Sequence, residues 1–365
     1  MNVTEYYQDA LARRAYQADP AQLAAVARLQ QAFDEWTAYK ARRSNSITRL
    51  LVRPPLPRGV YLWGGVGRGK SFLMDSFYSV LPLVRKTRLH FHEFMRGVHR
   101  QLDELKGQPD PLKEVAKRVA RKYRMICFDE FHVSDVADAM IMYNLLSALF
   151  EHGVCFVMTS NYRPDDLYPD GLHRDRMLPT IALLKEKMDV VNVDAGIDYR
   201  KRVLEQVAAY YTPLGPQADA ALTHAFDEIA EVADAKPDIE ILGRKLRARR
   251  RAGSIIWFDF ATLCESARSQ NDYLELASLY HTIIVSGVPE MTPAQESAAR
   301  RFTWLIDVLY DCKVKLLLSA AVAPERLYVQ GAMANEFQRT VSRIIEMQSA
   351  EYMATQQRLV AQNLV

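Results

Sequence analysis

Apolar runs of four or five residues recur through the first half of the chain, separated by longer stretches in which apolar positions return every three or four residues. Residues 59–63, 87–91, 125–128, 154–158 and 190–193 read as strands. Residues 22–36 read as an amphipathic helix entered through Asp19-Pro20, and residues 138–152 as another, closed by Gly153. Runs with no polar alternation are what strands buried on both faces require. The alternation of strand and helix therefore predicts an α/β fold: a parallel sheet with helices on both faces. In the second half, residues 254–260, 282–286 and 313–319 read as strands and 298–310 as a helix. An echo runs through the two halves. Strand, long helix, strand and then Pro-x-x-Leu-Tyr occur over 124–168 and again over 282–328. It reads either as an internal duplication or as two similar α/β units.

Composition narrows the class. A chain of 365 residues has room for two domains, and 49% hydrophobic content is that of a soluble globular protein. No run of about 18 uncharged apolar residues is present, so no integral membrane segment is expected. The first 14 residues carry Glu5 and Asp9 and no apolar core, so neither a secretory signal nor a mitochondrial presequence is expected. Cys127, Cys155, Cys264 and Cys312 are too scattered for a zinc or redox pair and read as buried thiols in a reducing cytoplasm. A net charge of +3 gives no whole-molecule field for nucleic acid. Locally, Arg244, Lys245, Arg247, Arg249, Arg250 and Arg251 form a basic run. It is either a patch for phosphate, nucleic acid or an acidic partner, or a solvated hairpin turning near Ala252-Gly253.

The most specific feature is Gly64-Gly65-Val66-Gly67-Arg68-Gly69-Lys70-Ser71, which fits G-x-x-x-x-G-K-[S/T] between a candidate strand and a candidate helix. Glycines let successive backbone N–H groups turn toward phosphate oxygens, and the helix that follows adds its positive end. Lys70 is expected to reach the β- and γ-phosphates and Ser71 to ligate Mg²⁺. The strand at 125–128 ends in Asp129-Glu130, where Asp129 can hold Mg²⁺ through water and Glu130 can orient or deprotonate the attacking water. The strand before Asn161 places an uncharged amide nearby, either to sense the γ-phosphate or lytic water or to start a turn. Arg174, with Arg176 second, is the candidate finger acting on a neighbouring subunit, which makes a homo-oligomer expected. Arg343 or Arg339 is the candidate to touch the nucleotide in cis from a lid. Surface ion pairing is the alternative for all four. His90, His92, Glu93 and His99 lack a metal-ligand spacing and read as structural or partner-contacting.

The order of these parts resembles AAA+ ATPases. His90-Phe91-His92-Glu93-Phe94-Met95, the stretch Phe128 to Met140, Gly171-Leu172-His173-Arg174, Phe258-Asp259-Phe260 with Leu263-Cys264, Arg300-Arg301-Phe302 and Ser342-Arg343-Ile344-Ile345-Glu346-Met347 resemble the ZapE family. That family comprises bacterial cell-division ATPases and mitochondrial AFG-like relatives, and the similarity runs from about Tyr16 to Tyr352. Departures are small: His173 stands where the family usually has glutamine, and Met177 where it usually has phenylalanine. The resemblance implies an ATP-hydrolysing protein of the bacterial cytoplasm, recruited to the division ring, that destabilises FtsZ polymers in the presence of ATP. A DNA-binding AAA+ ATPase and a quality-control adaptor are the alternatives. The expected division is an N-terminal helical segment over 1–52, a P-loop NTPase core of AAA+ type over 53–200, and a C-terminal α/β region with lid-like helices over 201–365.

Overall fold

The computed structural model describes residues 1–14, 20–43, 54–65, 68–133, 136–169, 171–194, 208–230, 232, 234–355 and 357. The chain forms two compact units, Met1–Asp198 and Tyr199–Ala361.

In the first unit the elements run α1 (Val3–Arg14), α2 (Pro20–Ala41), β1 (Gly59–Trp63), α3 (Lys70–Val80), β2 (Lys86–His90), α4 (Phe91–Glu104), α5 (Pro111–Lys122), β3 (Met125–Asp129), α6 (Val136–Glu151), β4 (Cys155–Ser160), α7 (Leu178–Lys187) and β5 (Met188–Asn192). The sheet is parallel, in the order β2-β3-β4-β1-β5. Strand alternation divides the core between its faces. Ile126, Phe128, Phe156 and Met158 pack with α4 to α7. Met125, Cys127, Cys155 and Val157 pack with α1, α2 and α3. The N-terminal helices are therefore part of this core rather than a segment of their own: Val3, Tyr7, Leu29 and Trp36 are buried against Val60, Leu62 and Phe72. The second strand ends one residue earlier than expected, because Phe91 starts α4 and its ring packs against Phe128 and Phe131.

The second unit holds β6 (Tyr210–Tyr211), α8 (Pro216–Ile229), β7 (Asp238–Ile241), β8 (Arg244–Arg247), β9 (Arg250–Ala252), β10 (Ile255–Asp259), α9 (Gln270–Leu279), β11 (Thr282–Val288), α10 (Glu296–Asp311), β12 (Lys315–Ala320), α11 (Ala334–Met347) and α12 (Ala350–Ala354). Its main sheet runs β6-β12-β11-β10-β9, parallel except for β9. The C-terminal region is thus an α/β unit with its own sheet and core.

Strand for strand, β10-β11-β12-β6 repeats β2-β3-β4-β1, and the likeness extends to single hydrogen bonds. Tyr61 Oη donates to Tyr162 O at 3.0 Å, and Tyr210 Oη donates to Val322 O. Glu130 N donates to Thr159 Oγ1, and Gly287 N to Ser319 Oγ, each at 3.1 Å. Cys155 N donates to Arg124 O, and Lys315 N to His281 O, each at 2.9 Å. The echo in the sequence is thus a repeated structural unit, carrying one phosphate loop between the two copies.

The basic run does not form one patch. Arg244 to Arg247 pair with β7, whereas Arg250 to Ala252 turn back through Gly253, at φ +53°, onto β10. Arg244 pairs with Asp272, Arg249 with Asp259 at 3.4 Å, and Arg250 with Asp227 and Asp234 at 2.8 Å.

Candidate nucleotide site

Chain order reverses in the sheet between β1 and β4, and a crevice beyond the strand ends at such a switch is where α/β sheets bind ligands. The loop after β1 and the end of β4 both meet there. Gly69 sits at φ +74° just before α3, a left-handed backbone conformation that favours glycine, and a Cβ on it would also press on Gln22 Nε2 at 2.8 Å. The first bond of α3 runs from Leu73 N to Gly69 O. The N–H groups of Lys70, Ser71 and Phe72 precede it and face the crevice as an anion site. Lys70 Nζ donates to Gly64 O at 2.8 Å, Gly65 O at 2.6 Å and Asn161 Oδ1 at 2.9 Å. A buried ammonium is thereby satisfied by loop carbonyls and one amide, weak neutral acceptors that phosphate oxygens can replace. Arg68 pairs with Asp194 at 2.9 Å, and Asp194 also accepts from Gly65 N. Val66 and Gly67, the middle of the motif, lie outside the described residues.

Asp129 ends β3, buried on the face of the sheet that α3 covers. Arg88 of β2 donates to both of its carboxylate oxygens, Nε to Oδ2 at 2.7 Å and Nη2 to Oδ1 at 3.0 Å. Burial opposes the charge of Arg88, but Asp129 and then Asp75 outweigh it, so its pKa is raised and the guanidinium stays protonated. Each carboxylate oxygen retains a lone pair that a metal-bound water can use, so Asp129 and the hydroxyl of Ser71 suit a hard cation such as Mg²⁺. Glu130 follows with φ +55°, its N–H held by Thr159 Oγ1, its side chain 38% exposed and 3.9 Å from His90 Nδ1. That turn separates the two carboxylates, with Asp129 buried and Glu130 partly exposed. His132, next along, stacks on Tyr162 at 5.0 Å, and burial pushes its pKa down to about 4.

The arginines divide. Arg174 lies in the short turn Arg174–Arg176 and donates from Nη2 to Asp165 O at 2.9 Å in its own chain. Arg176 is 64% exposed, 3.8 Å from Asp175. Arg343 belongs to the second unit and is 12% exposed there. It pairs with Asp307 and with Asp311 at 3.5 Å, over the ring of Tyr310. These contacts join α11 to α10 and match the ion-pair alternative for Arg343. Arg339, one turn earlier, is exposed. His99 pairs with Asp138 at 2.6 Å.

Sequence reading missed Arg88, Asp194 and Gln22. The first two left a signal, a cation within the strand beside Asp129 and a carboxylate just past the fifth strand. Gln22, whose Nε2 donates to Arg68 O at 3.2 Å, left none.

The chain is 43% identical to cell division protein ZapE of Escherichia coli strain K12 over 363 residues, 96% of each chain. It is 37% identical over 347 residues to Lactation elevated protein 1 homolog B of Danio rerio, covering 82% of this chain and 69% of that one. Among solved structures, the DnaC helicase loader covers 49% of this chain and 93% of its own at 12% identity, with a TM-score of 0.33, too low to bear on function. The model of the AFG1-like ATPase family matches residues 1–356, so the fold is that of an AAA+ P-loop NTPase and the chain belongs to the AFG1-like ATPase family.

Proposed function

We propose that this protein hydrolyses ATP to ADP and phosphate and uses the cycle to destabilise a polymer of the bacterial division ring, FtsZ or an associated protein. One observation carries hydrolysis: Lys70, Asn161 and the Asp129-Glu130 pair converge at the ends of three adjacent strands, β1, β4 and β3. Ser71 and Asp129 are the groups that would hold Mg²⁺, which would supply positive charge against that developing on the transferred phosphate. Lys70 neutralises phosphate oxygens once released from Gly64, Gly65 and Asn161. Glu130, the more exposed carboxylate of the pair, orients the attacking water and accepts its proton. The amide of Asn161, freed from Lys70, is available to the γ-phosphate or that water.

Arg174 is the group for a neighbouring copy, which implies a homo-oligomer, and reaching across requires it to leave the Asp165 carbonyl. ATP is favoured over GTP through membership of the AFG1-like ATPase family. The division-ring target, and with it a place in the bacterial cytoplasm, rests on the relative named cell division protein ZapE. A DNA-loading reading has less support, since Arg244, Arg249 and Arg250 are matched by carboxylates.

The test is sedimentation of FtsZ polymers with the protein, with and without ATP. The expected result is less pelleted FtsZ with wild type and ATP, and none of that loss with Glu130→Gln. Unchanged pellets and no co-sedimentation in either state would remove the division-ring target and leave an ATPase without it.

A further inference from the structure

The first unit buries a cation, Arg88, whose partners surround the metal-holding residues. Arg88 registers against Cys127 in the parallel pair β2-β3, so its side chain shares a sheet face with Cys127 and, two residues on, Asp129. Only 13% of it is exposed. Besides its two bonds to Asp129, Nη2 donates to Ser71 O at 3.2 Å and Nη1 to Asp75 Oδ1 at 2.8 Å. Asp75 Oδ2 in turn accepts from Tyr6 Oη at 3.1 Å. A single guanidinium therefore touches both residues that would hold Mg²⁺, and its third partner leads to the N-terminal helix α1.

We propose that Arg88 is the positioning residue of the metal site. It fixes the Asp129 carboxylate relative to Ser71, and through Asp75 and Tyr6 it makes the docking of α1 part of the same constraint. This rests on the reading of Ser71 and Asp129 as the metal-holding pair.

Three physical arguments support it. The acceptors lie in different directions, Asp129 through two oxygens, the Ser71 carbonyl and Asp75; a planar fork of five donors serves them, whereas a lysine offers three donors on a point charge. Asp75, Arg88 and Asp129 sum to one negative charge, so a divalent cation is still attracted, while without Arg88 two carboxylates would be left near each other with no cation between them. Finally, Arg88 takes one lone pair from each Asp129 oxygen and leaves others for metal-bound water, so it orients the ligand without displacing the metal.

A purely structural ion pair would act on stability alone. The discriminating quantity is the gain in affinity for a fluorescent ATP analogue on going from EDTA to Mg²⁺, measured on the full chain together with thermal melting. Asp129→Asn should abolish that gain while binding in EDTA, which depends on Lys70, survives. Arg88→Lys should reduce the gain by about tenfold, as expected for a group that orients a metal ligand, with EDTA binding kept. Tyr6→Phe, which removes the hydroxyl that donates to Asp75, should reduce it roughly threefold.

A full gain in folded Arg88→Lys beside a lost gain in Asp129→Asn overturns the proposal alone. A full gain in Asp129→Asn overturns the metal-site reading and the proposal with it. Should Arg88→Lys fail to melt cooperatively, Tyr6→Phe decides, and an unchanged gain there overturns the proposal.

Discussion

Lys70 Nζ donates to Asn161 Oδ1 across 2.9 Å, joining the first residue of α3 to the residue after β4, 91 positions apart in sequence. The same ammonium is held by two loop carbonyls, so it is already aimed at the place where phosphate oxygens would sit. Asn161→Ala is expected to leave ATP binding within about twofold, since only one neutral acceptor is lost. The same variant should lower kcat by at least about tenfold if the amide acts on the γ-phosphate or the water. Equilibrium binding and steady-state hydrolysis, measured side by side, check the split.

Glu130→Gln should bind nucleotide normally and lose hydrolysis by about 10² to 10⁴, the usual contribution of a positioned base. Its backbone turn is held through its N–H rather than its carboxylate, so the substitution leaves the loop in place. Single-turnover phosphate release is the measurement, and rapid release by the variant would remove Glu130 from the reaction.

Arg174 tests whether catalysis crosses between copies. Subunits carrying Arg174→Ala mixed with subunits carrying Lys70→Ala should regain hydrolysis, because the Lys70→Ala copy still donates Arg174. Absence of recovery in verified mixed oligomers would assign the arginine to its bond with Asp165.

The second unit repeats the strand order of the first without its chemistry. By the matched hydrogen bonds, Glu130 corresponds to Gly287 and Thr159 to Ser319. Asp129 then corresponds to Ser286 and Asn161 to Ala321, and α8 opens on Gly215-Pro216 where α3 opens on Gly69-Lys70. Isothermal titration with a non-hydrolysable ATP analogue is expected to saturate at one nucleotide per chain, and Lys70→Ala should abolish all of it. A second equivalent binding event would contradict this.

Arg343→Ala should act on stability. Its partner Asp307 is 24% exposed, and breaking such a pair costs about 3 kcal/mol by leaving a carboxylate half-buried and unpaired. Hydrolysis per folded molecule should be unchanged. A lower kcat with unaltered melting would return Arg343 to the nucleotide site.

His132 gives the first unit an acid sensitivity. Its pKa falls from an ordinary 6.5 to about 4 through burial, so the folded ring stays neutral where the unfolded one takes a proton. This stability is complete above pH 6.5 and is lost as pH falls toward 4, at no more than about 1.4 kcal/mol per pH unit. His132→Phe, which keeps an aromatic ring against Tyr162, should flatten the acid limb of melting temperature against pH.

The phosphate loop, the buried strands and the Asp129-Glu130 pair were legible in the sequence because each is a local pattern. A glycine spacing, an apolar run and a strand end can all be read without knowing what packs against them. The basic run was legible as charge, and as a hairpin near Gly253, but its ion pairs were not, because the matching carboxylates lie elsewhere in the chain, Asp272 28 residues from Arg244 and Asp234 16 from Arg250. For Arg343 the sequence left a nucleotide contact and an ion pair both open for the same reason, as Asp307 reaches it only when α10 and α11 pack. Arg88 stands in sequence as a cation within a strand, between Lys86 and His90, and nothing there shows which carboxylates it meets. Parallel register with β3 and the docking of α3 turn it into the group bonded to Asp129, Ser71 and Asp75. What the sequence determined alone was the set of groups able to hold a nucleotide, since that depends on residue type and spacing. Which charges remain available to it was decided by tertiary packing, because a buried ion pair exists only once both partners have been brought together out of water.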